Sequence, residues 1–599
     1  MPTKMRPMQS FAPYLDIAIR AARAAGELLR ADFHRAAGPR GEKDKSPADT
    51  EAEQFIRDIL LGAETDWGFL GEETGTVPGG KGSPIWVVDP NDGTRDYVKG
   101  RRGSAVSIAL VADRRPVIGV VHPFNYPDNE GVMFSAAVGR EGVWKNGAPV
   151  HAVLPETLAE TDVVLVSGGG DRAARANLAC TKPARVMSIP SIAHRMALVA
   201  AGEASATTSL YSPRTWDFAA GHCLILAAGG VVVDENGEEP VYDEEGEGAA
   251  PRLFVGSRSV AMDLRTRHWD LAFKSERETA MPIARLRKGG AISSPALLTR
   301  AQGAFLGHLT GSALAVVHGG SPPRPGLDRL RVSSTANAAL GRRLTAGQPG
   351  NAGELAITTA RALINHESDQ VSLARAYAMW SQSSPLEHDR GIDAAAQGHP
   401  IASDVSASAL SRVTAVAIWG HEVDPLILAT TVRADTALTH PSAVACDAAA
   451  VLALVLQSLI LKQDALSAVE VAHSFARRSG FAREAIDAVA QSSVSPGEAG
   501  HNGPVADAAL QFALFHLAHA RTFEDAMEAA LDLESRSDAT ASVVGALLGA
   551  RFGREGVPWK LRRLVLSCRP IEGLTPHPRP PAYWSTDAMA LSEGLLTAR

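Results

Sequence analysis

The run Ile85-Trp-Val-Val88 is apolar and largely β-branched, and it breaks abruptly onto Asp89-Pro-Asn-Asp-Gly-Thr94. Such a run reads as the end of a buried strand. The strand is expected to stop at Asp89-Pro90, with a tight turn at Asp92-Gly93. Two carboxylates three residues apart at a strand end can converge on one point, and Pro90 stiffens the chain between them. Hard divalent cations take oxygen clusters of this kind and leave positions open for water and a phosphate. Gly93 and Thr94 then offer backbone N–H groups and a hydroxyl, which suit an anion. A ligand-free Asp/Asn/Gly hairpin turn is the competing reading of the hexapeptide taken alone.

Two distant segments add to the acids. Gly71-Glu72-Glu73-Thr74 follows the apolar Trp67-Gly-Phe-Leu70, and Trp216-Asp217-Phe-Ala-Ala-Gly221 opens an Ala-rich, helix-forming stretch. Glu72, Asp89, Asp92 and Asp217 together supply carboxylate for two or three Mg²⁺ ions. The ordered set GEE, WVVDPNDGT and WDFAAG resembles the inositol monophosphatase family of Mg²⁺-dependent phosphatases, over roughly residues 10–275. The resemblance implies a layered α-β-α-β-α phosphatase domain over residues 1–275 and a small phosphate ester as substrate. It further implies that Glu72, Asp89 and the Asn91 carbonyl hold one ion, while Asp89, Asp92 and Asp217 hold a second. Glu72 would share a third through water, and Asp49 would pair with Thr94 to activate the attacking water. The Gly93 and Thr94 N–H groups would grip the ester.

Elsewhere in this half, Leu15 to Phe33 has apolar residues at helical spacing. Lys45-Ser-Pro-Ala-Asp49 leads into an expected helix, Glu51 to Leu61, with acids in its first turn. The segment is two residues shorter than the family pattern K-S-P-x-D-x-V-T-x-A-D, and Asp49 alone also reads as a helix N-cap. Val106–Val111 and Arg115–His122 look like paired strands, and Gly142–Lys145 like a further turn. Val163-Val-Leu-Val-Ser167 opens onto Gly168-Gly-Gly-Asp171, where by resemblance Gly169 lies beside the substrate; a flexible loop is the alternative. Ser191 to Gly202 resembles the family helix preceding the last acid. There His194 and Arg195 would select the substrate, either meeting a second anionic group, unless the stretch is a surface helix with two basic residues.

A chain of 599 residues is too long for one ordinary core. Residues 276–296 are polar and non-periodic, a linker. Ala-rich helical patterns then run from 297 to 568, predicting an all-α domain, and residues 569–599 read as a Pro-rich extended tail. Gly303-Ala-Phe-Leu-Gly-His-Leu-Thr-Gly-Ser-Ala-Leu314, Leu438-Thr-His-Pro441, Ser537-Asp538 and Gly545-Ala-Leu-Leu-Gly-Ala550 resemble blocks of the ADP-ribosylglycohydrolase family over about residues 297–565. The family's metal-binding acids are largely missing. T-D-D-T is replaced by Gly350-Asn-Ala-Gly353 ahead of Glu354, the acid of G-D-A-L is Ser312, and the late acidic stretch keeps Asp538 but carries Arg536. Glu354 and Asp538 alone cannot build a dinuclear site, and Arg536 would repel a cation. The expectation is a fold retained without its metal chemistry, serving to bind a ribosyl or nucleotide group, to form a homodimer, or as a lid.

A net charge of −7 with no Lys/Arg block disfavours a nucleic-acid partner. Four scattered cysteines and the lack of an apolar signal core point to the cytoplasm. The most apolar stretch, Ala448 to Leu461, is short and reads as a buried helix, with no membrane span expected.

Overall fold

The computed structural model describes residues 11–63, 66–248, 250–274, 284, 289–318, 336–337, 342–366, 368–462, 464–497, 505–533 and 537–598. The chain divides into two compact units, one running to Ala280 and taking in Arg287–Ser293, the other made of Met281–Leu286 and Ser294–Arg599.

The first unit opens with helices α1 (Ala12–Phe33) and α2 (Pro47–Leu61). An eight-stranded sheet follows, built from β1 (Gly68–Gly71), β2 (Gly75–Val77), β3 (Ile85–Asp92), β4 (Ala105–Ala112), β5 (Arg115–His122), β6 (Phe134–Ala137), β7 (Arg140–Lys145) and β8 (Ala148–Val150), with the short helix α3 (Thr94–Tyr97) after β3. The strand order is β2-β1-β3-β4-β5-β6-β7-β8. A second, five-stranded sheet comprises β9 (Val163–Val166), β10 (Arg185–Ser188), β11 (Ala206–Ser209), β12 (Val231–Val233) and β13 (Leu253–Gly256), in the order β10-β9-β11-β13-β12. Helices α4 (Ala174–Thr181), α5 (Ile192–Ala200), α6 (Thr215–Ala227), α7 (Arg258–Arg265) and α8 (Trp269–Lys274) complete the unit.

The layers follow from which faces are apolar. Helix α1 lays the stripe Leu15, Ala18, Ala22, Ala25 and Leu29 against the large sheet, as the 3.6-residue period requires. Helices α5 and α6 touch strands of both sheets, while α4, α7 and α8 close a separate core on the small sheet. The result is the expected α-β-α-β-α stack. Strands β3 to β5 are covered on both faces and so read as continuous apolar runs instead of alternating ones. Gly119 in β5 is what lets α6 lie so close, because a Cβ there would collide with the Ala220 carbonyl.

Two local expectations change. Helix α2 begins at Pro47, with Ser46 as its N-cap accepting from the Ala48 N–H, so Asp49 lies inside the first turn and is no cap. Residues Gly142–Lys145 belong to β7, and the turn falls on Asn146 (φ 51°) and Gly147 (φ 81°), the pair of positive φ values a two-residue hairpin prefers.

The second unit is helical apart from one two-residue strand pair, among the described residues. Its centre is α9 (Pro295–His318) packed along helix Asp538–Gly556. Gly303, Gly307 and Gly311 face Gly549, Gly545 and Ala541 so closely that a Cβ on any of the three would strike a carbonyl oxygen of the other helix. Helix α10 (Asn351–Ile364) adjoins both. Helix Ala443–Ile460 is long and apolar enough to span a membrane by composition, yet it is buried inside the unit.

The C-terminal stretch is not the extended tail its prolines suggest. Arg579 is buried, the Trp584 indole donates to the Arg579 carbonyl (2.8 Å), and helix Ala588–Thr597 buries Leu591 and Leu595 against α9 and α10. Prolines forbid helix through this segment, but its few anchoring side chains still fix its path.

Gly307→Ala adds a residue of better helix propensity, worth about 1 kcal/mol in an isolated helix. The clash with Gly545 reverses that sign. The variant is expected to lose about 3 kcal/mol on urea unfolding followed by far-UV circular dichroism.

Candidate metal and phosphate site

The acids come together because β3 is irregular. The strand continues past Asp89-Pro90 to Asp92, and its register against β4 shifts between Asp89 and Asp92. In a regular strand, residues three apart face opposite sides. The extra residue of a bulge removes that difference, and Pro90 is tolerated there because the ladder is already interrupted. One ligand oxygen from each of Asp89, Asp92 and Asp217 then falls within 4.8 Å of the others. Among the described residues no other group of three acids, histidines or cysteines is gathered this closely.

Each acid is held from behind. The Asn91 N–H donates to Asp89 Oδ1 (2.8 Å). Asp92 Oδ2 accepts from Ser191 Oγ (2.6 Å) and from the Ala193 N–H (2.8 Å) at the start of α5. Asp217 lies in the first turn of α6 and accepts from the Arg214 N–H (2.8 Å), while Ser107 Oγ donates to the Trp216 carbonyl (2.8 Å) and ties that turn to β4. Glu72, just beyond β1, lies outside that group of three but near enough to Asp89 and Asp92 to feel their charge.

Burial first, then the neighbouring acids, pushes Asp89 and Asp217 well above the usual carboxylate range. Glu72 is raised to about 7 by burial, with Glu73 and Asp92 adding to it and the contact with Asp89 opposing it. Arg195 is the guanidinium whose charge reaches Asp92 and Asp217, and it sits within the protein beside them. Four carboxylates so placed cannot all ionise without added positive charge. Their oxygen-only donor set fits Mg²⁺.

Asp49 is buried on the first turn of α2. Its Oδ2 accepts from Thr94 Oγ1 (2.8 Å) and its Oδ1 from Asn91 Nδ2 (2.9 Å). Burial lifts its carboxyl to about 7 against these two hydrogen bonds. Gly93 turns the chain into α3 at φ 104°, a conformation open to glycine. Gly169 precedes a single 3₁₀ turn, Gly170–Ala173, and the adjoining Gly168 lies against the 93–96 turn, its missing Cβ only 2.7 Å from Asp96 Oδ2.

His194 and Arg195 do not stand where the sequence reading put them. The His194 ring is buried, pushed down to about 4 by desolvation, and its Nδ1 lies 3.2 Å from the Gly103 carbonyl. Arg195 spends Nη1 on the Ile189 and Pro190 carbonyls and Nε on Thr207 Oγ1. Neither a substrate-selecting pair nor an exposed helix face describes them, because α5 lies between layers. Three supporting groups have parts that the motifs do not assign: Ser191, the Asn91 side chain and Glu53. Only Ser191 leaves a trace, as a serine opening a helix whose Oγ also accepts from the His194 N–H.

In the second unit, the remnant acids are spent separately. Ser312 Oγ accepts from the Gly350 and Gly353 N–H groups (2.9 and 3.1 Å), and Asp538 Oδ2 from the Ala352 N–H (2.9 Å), so both cap α10. Burial raises the Asp538 carboxyl to about 6. Glu354 takes two bonds from Arg579 (2.7 Å each) and one from the Trp380 indole (2.8 Å). Arg536 lies outside the described residues.

The fold and this site define a metal-dependent phosphatase unit, and comparison with known proteins agrees: the inositol monophosphatase family matches residues 11–269 and the ADP-ribosylglycohydrolase family residues 293–579. Through its first unit the chain belongs to the inositol monophosphatase family. It is 31% identical over 240 residues to inositol monophosphatase 2 of Solanum lycopersicum, covering 38% of this chain and 89% of that protein. It is 32% identical over 267 residues to Nus factor SuhB of Xylella fastidiosa, covering 42% and 93%. A solved structure of the extragenic suppressor protein suhB from Bartonella henselae shares 27% identity, covers 44% of this chain and 100% of its own, and has a TM-score of 0.36.

The raised acids set the pH response. Folding holds the protons of Glu72 and Asp49 up to about pH 7, against ordinary values of 4.5 and 3.8. The folded state therefore binds more protons than the unfolded chain across that window. The contribution of these two groups to the stability of the metal-free protein is fully present below about pH 4 and falls as pH rises to about 7. Melting temperatures in EDTA should show this fall, and millimolar Mg²⁺ should flatten it; identical profiles with and without Mg²⁺ would contradict the site.

Proposed function

We propose that the first unit is a Mg²⁺-dependent phosphomonoesterase acting on a small phosphorylated alcohol, of the inositol, sugar, histidinol or nucleotide/ribosyl phosphate kind. The observation that carries this reading is the convergence of Asp89, Asp92 and Asp217 within 4.8 Å, with Glu72 near enough to interact with them. Glu72, Asp89, the Asn91 carbonyl, Asp92 and Asp217 would hold two or three ions. Bound there, Mg²⁺ supplies positive charge to the phosphoryl oxygens and acidifies water. The protein's own part is proton handling and grip. Thr94 Oγ1 passes its proton to Asp49 as it takes one from the attacking water, and a carboxyl poised near 7 can hold that proton at neutral pH. The Gly93 and Thr94 N–H groups are assigned to the ester oxygens.

Three exposed arginines favour a substrate with a second anionic group. Arg95 follows Thr94, Arg172 has its guanidinium over Gly169, and Arg214 stands three residues before Asp217, stacked on Trp216. By contrast Arg101 is paired with Asp96, and Lys145 with Glu203. We place the protein in a reducing cytosol, since its four cysteines are buried and not joined in disulfides. Phosphate release from a panel of mono- and bisphosphorylated sugars and nucleosides should require Mg²⁺ and vanish in Asp89→Asn and Asp217→Asn with the fold intact. Arg172→Met with Arg214→Met should raise KM for a bisphosphate about tenfold and leave a monophosphate little changed. Retained turnover in both Asn variants would rule the assignment out.

For the second unit we propose a binding or positioning role toward a ribosyl or nucleotide group without the family's metal chemistry. What supports it is the commitment of Glu354 to Arg579 and of Asp538 to the α10 cap. No Mg²⁺-dependent release of ADP-ribose from ADP-ribosylated arginine or serine is expected. Robust release that Asp538→Ala abolishes would favour a bifunctional enzyme instead.

A further inference from the structure

Helix α2 carries two buried carboxylates one turn apart, Asp49 and Glu53, and so on one face. Asp49 reaches the 91–94 turn. Glu53 reaches the other acid-bearing turn: its Oε2 accepts from the Glu73 N–H (3.0 Å) and its Oε1 from the Thr74 N–H (2.5 Å). Both oxygens accept a backbone N–H, so Glu53 is a further acid beside the site, turned onto the 73–74 backbone. Gly71 packs on the same carboxylate, and a Cβ there would collide with Oε1. The chain is pinned on either side of Glu72. Before it, Gly71 pairs with Val88 in the β1–β3 ladder and the Glu72 N–H donates to the Val88 carbonyl (3.2 Å); after it, Glu53 takes the next two N–H groups. The demand is for two acceptors and no donor. An ionised carboxylate meets it, and an amide of the same shape does not.

We propose that Glu53 is the positioning residue for Glu72, fixing the 72–74 turn so that Glu72 meets Asp89 across the ion they would share. The proposal rests on the metal-dependent phosphatase reading above. Helix α2 then sets both halves of the site at once. Loss of the Glu53 contacts loosens only the Glu72 side, while the Asp92 and Asp217 side keeps its own supports from Ser191, Ala193 and Arg214.

The test uses the full-length protein with Glu53→Gln and Gly71→Ala. The first removes one acceptor and turns a donor toward an N–H; the second leaves Glu53 in place and displaces its carboxylate from the other side. Mg²⁺ titration by calorimetry, and Mn²⁺ titration by electron paramagnetic resonance, should show one class of ion bound about 10–100-fold more weakly in both variants and the other class unchanged. Half-saturating Mg²⁺ for phosphate release should rise by the same factor, with kcat recovering to within about threefold at saturation. Melting temperature without metal should change little. A merely structural role would lower melting temperature or kcat and leave ion affinity at the wild-type value, and that outcome overturns the proposal. Should Glu53→Gln fail to fold, Gly71→Ala decides. Wild-type protein that binds no Mg²⁺ would instead sink the phosphatase reading itself, which separates the two failures.

Discussion

Carboxylates buried together repel one another and lose their hydration, and the first unit is built around accepting that cost at one point. Among the described residues, what relieves it at Asp89, Asp92 and Asp217 is hydrogen bonds from backbone N–H groups, the Ser191 hydroxyl and the charge of Arg195. Such an arrangement is costly as a purely structural motif, because buried carboxylates lose hydration and repel one another. Its persistence makes sense when a divalent cation supplies the missing charge. The surrounding elements serve that end: the bulge in β3 turns two acids to one side, α5 and α6 present their first turns, and α2 reaches across to both acid-bearing loops.

The acids themselves were legible in the sequence, since apolar runs that end on Asp or Glu mark strand ends where side chains can meet. Their convergence was legible only as a type of chemistry. Asp89 and Asp92 share a side through a register shift that no periodicity records, and Pro90 reads as a strand terminator when it in fact sits in the interruption. Basic residues misled for a different reason. A helix with His194 and Arg195 looks half exposed when only its own sequence is considered, but covering layers on both sides bury all nine of its residues. Long-range supports such as Glu53 to Thr74 leave no local mark, because a Glu on a helix is the commonest surface residue there is.

The second unit shows the same asymmetry between fold and site. Its central helix pair depends on glycines at every fourth position of α9, and these form a readable pattern because a Cβ at any of the three would strike the facing backbone. The polar groups at the α10 end are under no such steric constraint. At Ser312 a shorter oxygen suffices to cap α10, and at 350–353 the backbone N–H groups themselves fill the space. Prolines near the C-terminus hid a folded segment, since composition reports what the backbone cannot do and says little about a single buried arginine.

That arginine allows the two units to be compared on one physical question, how a buried carboxylate is neutralised. In the first unit the compensating charge is left to something that can come and go, and acids from several elements keep their oxygens turned to a common point. In the second, Glu354 receives a guanidinium tethered to the chain, planar, always charged and fitted to both oxygens, with Tyr583 stacked on it and Ser383 and Ser384 taking its remaining donors. A tethered cation stabilises its partner without any dependence on ion concentration. It also offers no open coordination position to polarise a ligand, whereas an exchangeable ion does. The buried acids of the two units therefore differ in one physical respect, whether the neutralising charge belongs to the polypeptide, as it does for Glu354.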